Sequence, residues 1–256
     1  MKLFFLLIGC VVNLNLVAQN DKYFNIAMNN AINLNSNGRV MCMDNNGTYY
    51  IGGDTRHNGL VFDGQPFFIE TDNTGNLLQF SELIDTTREA VVLGLVTTDS
   101  LIFGGGYQNT VGTSSTYYVM TKKDGTLIQE GNVGDTLFVN SGYTACQAHD
   151  GGFLIGGEIQ PYDPPNGQPT HPYLVKLDSA GNKLWDTIYY QYGEPYAWIE
   201  SIIPAPDNGY YALGSTKSSL WLHSDILLMH IAEDGSVLWD KIITFGTPEF
   251  GKEVIY

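Results

Sequence analysis

The sequence predicts an all-β protein, a β-propeller of four-stranded antiparallel blades, on three observations. The first is a ladder of glycines ending apolar runs: YYIGGD at Gly52, LIFGGG at Gly104, FLIGGE at Gly156 and YALGST at Gly214, at intervals of 52, 52 and 58 residues. The second is a ladder of turn glycines following alternating strands: IETDNTGNLLQ at Gly75, MTKKDGTLIQ at Gly125, VKLDSAGNKLW at Gly181 and HIAEDGSVLW at Gly235, at intervals of 50, 56 and 54. Two ladders of one period and one order mark four copies of a single unit. The third is composition. Charged residues make up 15% of the 256, against ~25% in an ordinary soluble domain, while Gly (29) and Tyr (16) are abundant. That mixture suits many short strands joined by tight turns, and does not suit a helical enzyme.

The elements follow in chain order. Residues 1–18, MKLFFLLIGCVVNLNLVA, carry one Lys, an apolar run, and small or apolar residues before AQN. This is the layout of a secretory signal peptide cut after Ala18, and the run is short for a membrane span. LIGC, ending at Cys10, offers a rival reading as a lipoprotein processing site, although the apolar run before it is short and more apolar sequence follows. No other stretch could cross a membrane. The chain over 19–256 is therefore expected to be an exported propeller, extracellular or cell-surface associated.

Residues 22–30, KYFNIAMNN, read as an outer strand without its own blade, the closing strand of the ring. Blades are expected over about 39–84, 90–133, 141–190 and 198–243. The fourth shows the parse: ESIIPAP, then GYYALGS after the turn DNG, then DILLMHIA, then SVLWDKII after the turn EDG. Alternating apolar and polar positions bounded by Asp, Asn and Gly are strand and hairpin signals. The Asp opens each turn by bonding its own backbone, and the Gly accepts a positive φ. EFGKEVIY closes the sequence, and 251–256 read as the start of a fifth blade, so the chain is expected to lack its C-terminal part.

The residue four after each turn glycine is Gln79, Gln129, Trp185 and Trp239. A large side chain thus recurs at one place on the outermost strand, where it is expected to pack across to the neighbouring blade. The pattern DGGFLIGG … YLVKLDSAGNKLWD resembles the secreted β-propeller repeat proteins of the Bacteroidota type. Its D-x-x-G-x-x-x-W core is similar to the tryptophan-docking repeats of quinoprotein-like propellers. The resemblance covers residues 39–256 and concerns fold; copies one and two depart from it in carrying Gln for Trp. It implies export, in many such proteins through a type IX secretion sorting domain, and no such domain is visible in the sequence. Quinoprotein chemistry would need a calcium-bound quinone and usually a vicinal disulfide, and no two Cys here are adjacent.

Catalytic signatures fail: there is no G-x-S-x-G, no H-E-x-x-H, and no S-x-x-K beside a plausible base. The histidines, His57, His149, His171, His223 and His230, have no spacing that forms a zinc site. MDNNGT at 43–48 and TDNTGN at 71–76 resemble pieces of a calcium loop but lack the full ligand run and the distal Glu; turn chemistry explains them. No cofactor and no metal is expected. A formal charge of −15 excludes nucleic acid, whose phosphates require clustered Lys and Arg. Cys42 and Cys146, each ten residues before its ladder glycine, occupy one position in non-adjacent blades and are expected to be free thiols.

Loops carry the functional lead. In a four-stranded blade the first-to-second and third-to-fourth turns share one face, and here they are short and regular. The other connections, including DTRHNGLVFDGQ, EIQPYDPPNGQPTHP, QYGEPYAW and STKSSLWLHS, share the opposite face and differ in every copy. Variable loops on a rigid scaffold are where binding residues sit. Their aromatics, Tyr107, Tyr162, Tyr192, Tyr196, Trp198 and Trp221, suit stacking on a sugar ring or gripping a peptide. The expectation is a secreted, non-enzymatic binding or display module for a glycan or extracellular protein. The alternatives are an extracellular polysaccharide-acting enzyme with an acidic pair such as Glu194 and Asp163, or a structural spacer in a larger surface protein.

Overall fold

A computed structural model describes residues 5–7, 10–12, 35–56, 64–83, 88–110, 113–161, 169–192, 196–217 and 224–244. The expected closing strand at 22–30 and the expected fifth blade at 251–256 lie outside these residues. Within the segment read as a leader, β1 (Phe5–Leu7) and β2 (Cys10–Val12) pair as an antiparallel ribbon.

Four four-stranded antiparallel sheets follow, each with its strands in sequence order. Blade I holds β3 (Asn35–Met43), β4 (Tyr49–Arg56), β5 (Gly64–Thr71) and β6 (Leu77–Glu82). Blade II holds β7 (Glu89–Thr97), β8 (Leu101–Thr110), β9 (Thr113–Lys122) and β10 (Leu127–Asn132). Blade III holds β11 (Phe138–Gln147), β12 (Phe153–Pro161), β13 (His171–Leu177) and β14 (Lys183–Ile188). Blade IV holds β15 (Tyr196–Pro204), β16 (Tyr210–Lys217), β17 (Ser224–Ile231) and β18 (Val237–Ile243). The first strand of each blade packs against the first strand of the next, β3 on β7, β7 on β11 and β11 on β15. The sheets therefore fan about a common axis, and the protein is a β-propeller. Among the described residues the one helical element is a 3-10 turn at Tyr190–Tyr192, and no helix is long and apolar enough to cross a membrane.

The core lies in the seams between blades rather than inside any one sheet. Tyr50 and Phe68 of blade I meet Val92, Ile102 and Tyr117 of blade II. Phe103, Tyr118 and Met120 of blade II meet Phe153, Tyr173 and Val175 of blade III, with the Phe103 and Phe153 rings stacked 4.1 Å apart. Leu154 and Leu174 of blade III meet Ile199, Tyr210, Leu227 and Met229 of blade IV. A blade buries its apolar faces only against its neighbours. Cys42 and Cys146 are free, and burial pushes both thiols up to about 12, the behaviour of small apolar core residues.

Every innermost strand carries a β-bulge at one equivalent place. Pairing with the second strand shifts around Arg39 in β3, Leu93 in β7, Tyr143 in β11 and Glu200 in β15. The residue before each bulge pairs with Gly53, Gly106, Gly157 or Gly214. A Cβ on any of these four would overlap the carbonyl oxygen two residues before the bulge, that of Asn37, Val91, Ser141 or Trp198. Close backbone approach, and not a positive φ, is what demands glycine here. This corrects the first ladder. The equivalent glycines are Gly53, Gly106, Gly157 and Gly214, so Gly52 and Gly156 stand one residue before their bulge glycines and Gly104 two before. Inspection of the sequence could not place the bulges that set this phase.

The second ladder keeps its phase. Gly75, Gly125, Gly181 and Gly235 take φ of +83°, +77°, +84° and +86°, and each N–H closes its turn on the carbonyl three residues back. Asp72 Oδ1 accepts from the N–H groups of Thr74 and Asn76 at 2.8 and 2.9 Å, and Asp44 does the same for Asn46 and Thr48. Bonds from the Asn76 and Thr74 side chains hold the Asp72 carboxyl down at about 2. These carboxylates are occupied by turn hydrogen bonds. In blade IV the left-handed turn residue is Asn208 (φ 68°) rather than the glycine beside it.

The recurrent outer-strand residue clasps the third-to-fourth turn of the next blade. Trp185 is half-buried against the III/IV core, and its ring lies against Gly235 beside the Thr187 hydroxyl. Gln129 reaches the same end indirectly: its amide donates to the Tyr118 hydroxyl at 2.7 Å, and the Tyr118 ring lies against Gly181. The Gln79 amide donates to the Asp124 carbonyl beside Gly125. The two Gln copies thus serve the clasp by hydrogen bonds where the Trp copy uses ring contact. Trp239 is 41% exposed and rests on Tyr211 and His230 of its own blade.

Two predictions follow from this packing. Gly157→Ala is expected to cost at least about 3 kcal/mol, the upper range for overpacking, because rigid backbone is the obstacle. Gly151→Ala, with φ +82° and no heavy atom within 4 Å of the added Cβ, should cost about 1–2 kcal/mol, the strain of a left-handed residue. Urea denaturation of both variants checks the difference; equal losses would mean the bulge contact is not as described. Trp185→Ala should cost about 3 kcal/mol, as for a large aromatic cut from a core, while Trp239→Ala, at the same repeat position, should cost about 1 kcal/mol or less. Their melting curves decide it, and a Trp239→Ala loss equal to that of Trp185→Ala would refute the clasp.

Candidate functional site

The bulges do more than set the register. An extra residue turns a side chain out of the alternation, and in each blade it brings three positions together: two before the bulge, the bulge itself, and the residue after the bulge glycine. These are Asn37, Arg39 and Asp54 in blade I; Val91, Leu93 and Tyr107 in blade II; Ser141, Tyr143 and Glu158 in blade III; and Trp198, Glu200 and Ser215 in blade IV. Three of the four sets are knit by hydrogen bonds. Asp54, 1% exposed, accepts from Arg39 Nε at 2.7 Å and Asn37 Nδ2 at 3.1 Å. The Tyr143 hydroxyl donates to Glu158 Oε1 at 2.5 Å. Trp198 Nε1 donates to Glu200 Oε1 at 2.6 Å.

In blades III and IV these sets open into a cleft of about 440 Å³ lined by Tyr143, Glu158, Thr170, Tyr196, Trp198, Glu200 and Lys217. It lies at the ends of β12 and β16 and the starts of β13 and β15, the edge from which the long connections leave. Lys217 Nζ stands 5.0 Å from the centroid of the Trp198 ring. Burial pushes the Glu158 carboxyl above the usual carboxylate range, and the neighbouring Glu200 adds to the rise; the Tyr143 hydrogen bond and Lys217 oppose it. Tyr143 is raised in turn, first by burial and then by the charge of Glu158. The cleft therefore offers an aromatic wall, one ammonium, and two carboxyl groups from adjacent blades in unlike surroundings.

Of the aromatics expected on this face, Tyr196 and Trp198 line the cleft. Tyr107 holds the equivalent position in blade II, raised chiefly by burial and by Glu89. Tyr192 packs against the III/IV core as a seam residue. Tyr162 and Trp221, and the acidic pair Glu194 and Asp163, lie outside the described residues. The sequence reading missed Tyr143, Glu158, Glu200 and Lys217. The signal that could have found one of them is the residue just after the glycine run, Asp54 in IGGD, Tyr107 in FGGGY, Glu158 in IGGE and Ser215 in LGS. No such signal marks the bulge residues.

The opposite face has a hollow of about 480 Å³ among Met43, Asp44, Asn45, Asn46, Thr97, Thr98, Asp99 and Gln147. Its Asp44 is already bonded within its turn. Among the described residues no group of three or more His, Cys, Asp or Glu is arranged to hold a metal ion. His230 bonds Asp207 at 3.2 Å and packs on Tyr211, a seam-edge residue rather than a ligand.

The electrostatics of the cleft make a directional prediction. Replacing Glu200 by Gln removes a negative neighbour and should lower the Glu158 pKa; replacing Lys217 by Met removes a positive one and should raise it. Carboxyl carbon chemical shifts of the glutamates, followed through a pH titration, report both. A Glu158 titration unmoved by either substitution would separate the three groups.

No family model and no curated protein matches the chain. Among solved structures it is similar to a GH43 endo-arabinanase from Bacillus licheniformis, with 13% identical residues, a TM-score of 0.41, and coverage of 83% of this chain and 81% of that one.

Proposed function

We propose that the protein is an exported carbohydrate-binding propeller of the Bacteroidota repeat type, and that its ligand lies in the cleft between blades III and IV. The observation that carries this reading is the cleft wall itself. Trp198 and Tyr196 present aromatic surface, and Tyr143, Glu158, Glu200, Thr170 and Lys217 supply hydrogen-bonding groups around it. A pyranose or furanose ring offers C–H groups to an aromatic face and hydroxyls to such a rim, and concave sites combining apolar walls with a few fixed polar groups are the general form of ligand pockets. The acidic charge of the chain speaks against nucleic acid. Export is supported by the leader layout at 1–18, and by the resemblance of the repeat to surface propellers that use type IX secretion.

A glycan array probed with the purified protein tests the reading. At least one class of oligosaccharide should bind, and Trp198→Ala should weaken that binding tenfold or more, about 1.4 kcal/mol, at an unchanged melting temperature. Silence of the wild-type protein across the array, or full binding by Trp198→Ala, would overturn it.

A further inference from the structure

We propose that the same cleft hydrolyses a glycosidic bond of a neutral glycan, with Glu158 as general acid and Glu200 as general base, an inference that rests on the carbohydrate-binding reading. Two carboxyl groups flanking one bond are the minimum machinery for glycoside hydrolysis, one to protonate the departing oxygen and one to activate water. Here they come from two different blades. Glu158 follows the bulge glycine of β12, and Glu200 is itself the bulge residue of β15. Neither is held in a stability ion pair with the other, since both are acidic, yet both line one cleft. Carboxyl groups converging in one partly buried hollow, one of them with a shifted pKa, are a mark of functional sites.

Their partners assign the roles. Glu158 is half-buried and backed by the Tyr143 hydroxyl on one oxygen. The groups facing it are Tyr143, Glu200 and Lys217, and burial with the Glu200 charge outweighs the other two, so its carboxyl holds a proton more readily than an ordinary glutamate. Glu200 receives the Trp198 indole N–H, which fixes one of its oxygens and leaves the other to face the cleft. Unlike environments on paired carboxyls are what separates an acid from a base. In the step, Glu158 gives its proton to the glycosidic oxygen as the bond from the anomeric carbon breaks. Water attacks that carbon, and Glu200 takes the proton water loses. The products are two sugar hydroxyl ends, with Glu158 left ionised and Glu200 protonated, and exchange with solvent restores both. Two carboxyl groups against the one ammonium of Lys217 disfavour uronates, so the substrate class is a neutral glycan.

The experiment incubates the purified protein with soluble neutral polysaccharides (β-glucan, xylan, mannan, galactan) and with polygalacturonate, measuring both affinity-gel retardation and release of reducing ends. Wild type is expected to be retarded by a neutral polysaccharide and to release reducing ends from it, with none from polygalacturonate. Glu158→Gln and Glu200→Gln, with unchanged melting curves, should each lose cleavage by a hundredfold or more. A dinitrophenyl glycoside of the same sugar, whose leaving group needs no proton, should restore turnover to Glu158→Gln and not to Glu200→Gln. Retardation without reducing ends overturns the hydrolysis and leaves the binding reading standing. Absence of retardation by every neutral polysaccharide sinks both. Cleavage retained by either glutamine variant, or preference for polygalacturonate, overturns the assignment of roles or of substrate.

Discussion

In each blade the carbonyl two residues before the bulge occupies the space where the opposing residue would begin its side chain, and only glycine leaves that space open. The contact recurs four times, at Gly53, Gly106, Gly157 and Gly214. It lets the innermost strand take one extra residue without losing its partner. Register is unforgiving in a sheet, since a slip of one residue exchanges its two faces. The bulge makes that slip once, at a fixed place, in every innermost strand, and takes the bulge residue out of the alternation. The seams, the side chains around the bulge and the cleft all inherit this single close approach.

The seams are the second level. No blade has a core of its own, so the fold depends on how each sheet meets the next, and the outer strands close those joints. The clasp on the following turn accepts different chemistry: the Trp185 ring at Gly235, the Tyr118 ring steadied by Gln129 at Gly181, the Gln79 amide at the Asp124 carbonyl. What is preserved is the geometry of the receiving turn, a glycine of positive φ with an aspartate in the turn, Asp124, Asp178 or Asp234, accepting from a turn N–H. A repeat unit can thus drift in sequence while its joints stay shut, which is how a quasi-one-dimensional array tolerates divergent copies.

The same drift makes function. The three positions around the bulge are equivalent in every blade, yet they hold a half-exposed arginine on a buried aspartate in blade I, an aliphatic and tyrosine set in blade II, a tyrosine–carboxyl pair in blade III and a tryptophan–carboxyl pair in blade IV. Where the last two meet, two carboxyl groups in unlike surroundings come together beside an aromatic wall. The proposed carbohydrate chemistry needs no dedicated motif in the chain, because the propeller brings one residue from each of several unremarkable strands to a common rim. This explains why searches for hydrolase signatures in the sequence find nothing even when the rim is chemically furnished.

The sequence by itself determined the four copies of a four-stranded unit, the strand order, the turn glycines and the division into a regular and a variable face, because these are local: a two-residue alternation, a left-handed turn residue and an aspartate bonding its own backbone act within a few positions. It also singled out Tyr196 and Trp198, since aromatics beside a variable loop are visible in one dimension. The phase of the inner glycines was decided only in three dimensions. Nothing in YYIGGD or LIFGGG tells which glycine faces a carbonyl, because the bulge lies on the partner strand, more than ten residues away in sequence. Tyr143, Glu158 and Glu200 belong to the same class. Each looks like an ordinary polar residue in a strand, and only the packing of blade III against blade IV, which sets burial and brings them to one rim, raises the pKa values of Tyr143 and Glu158 and places Glu200 beside them.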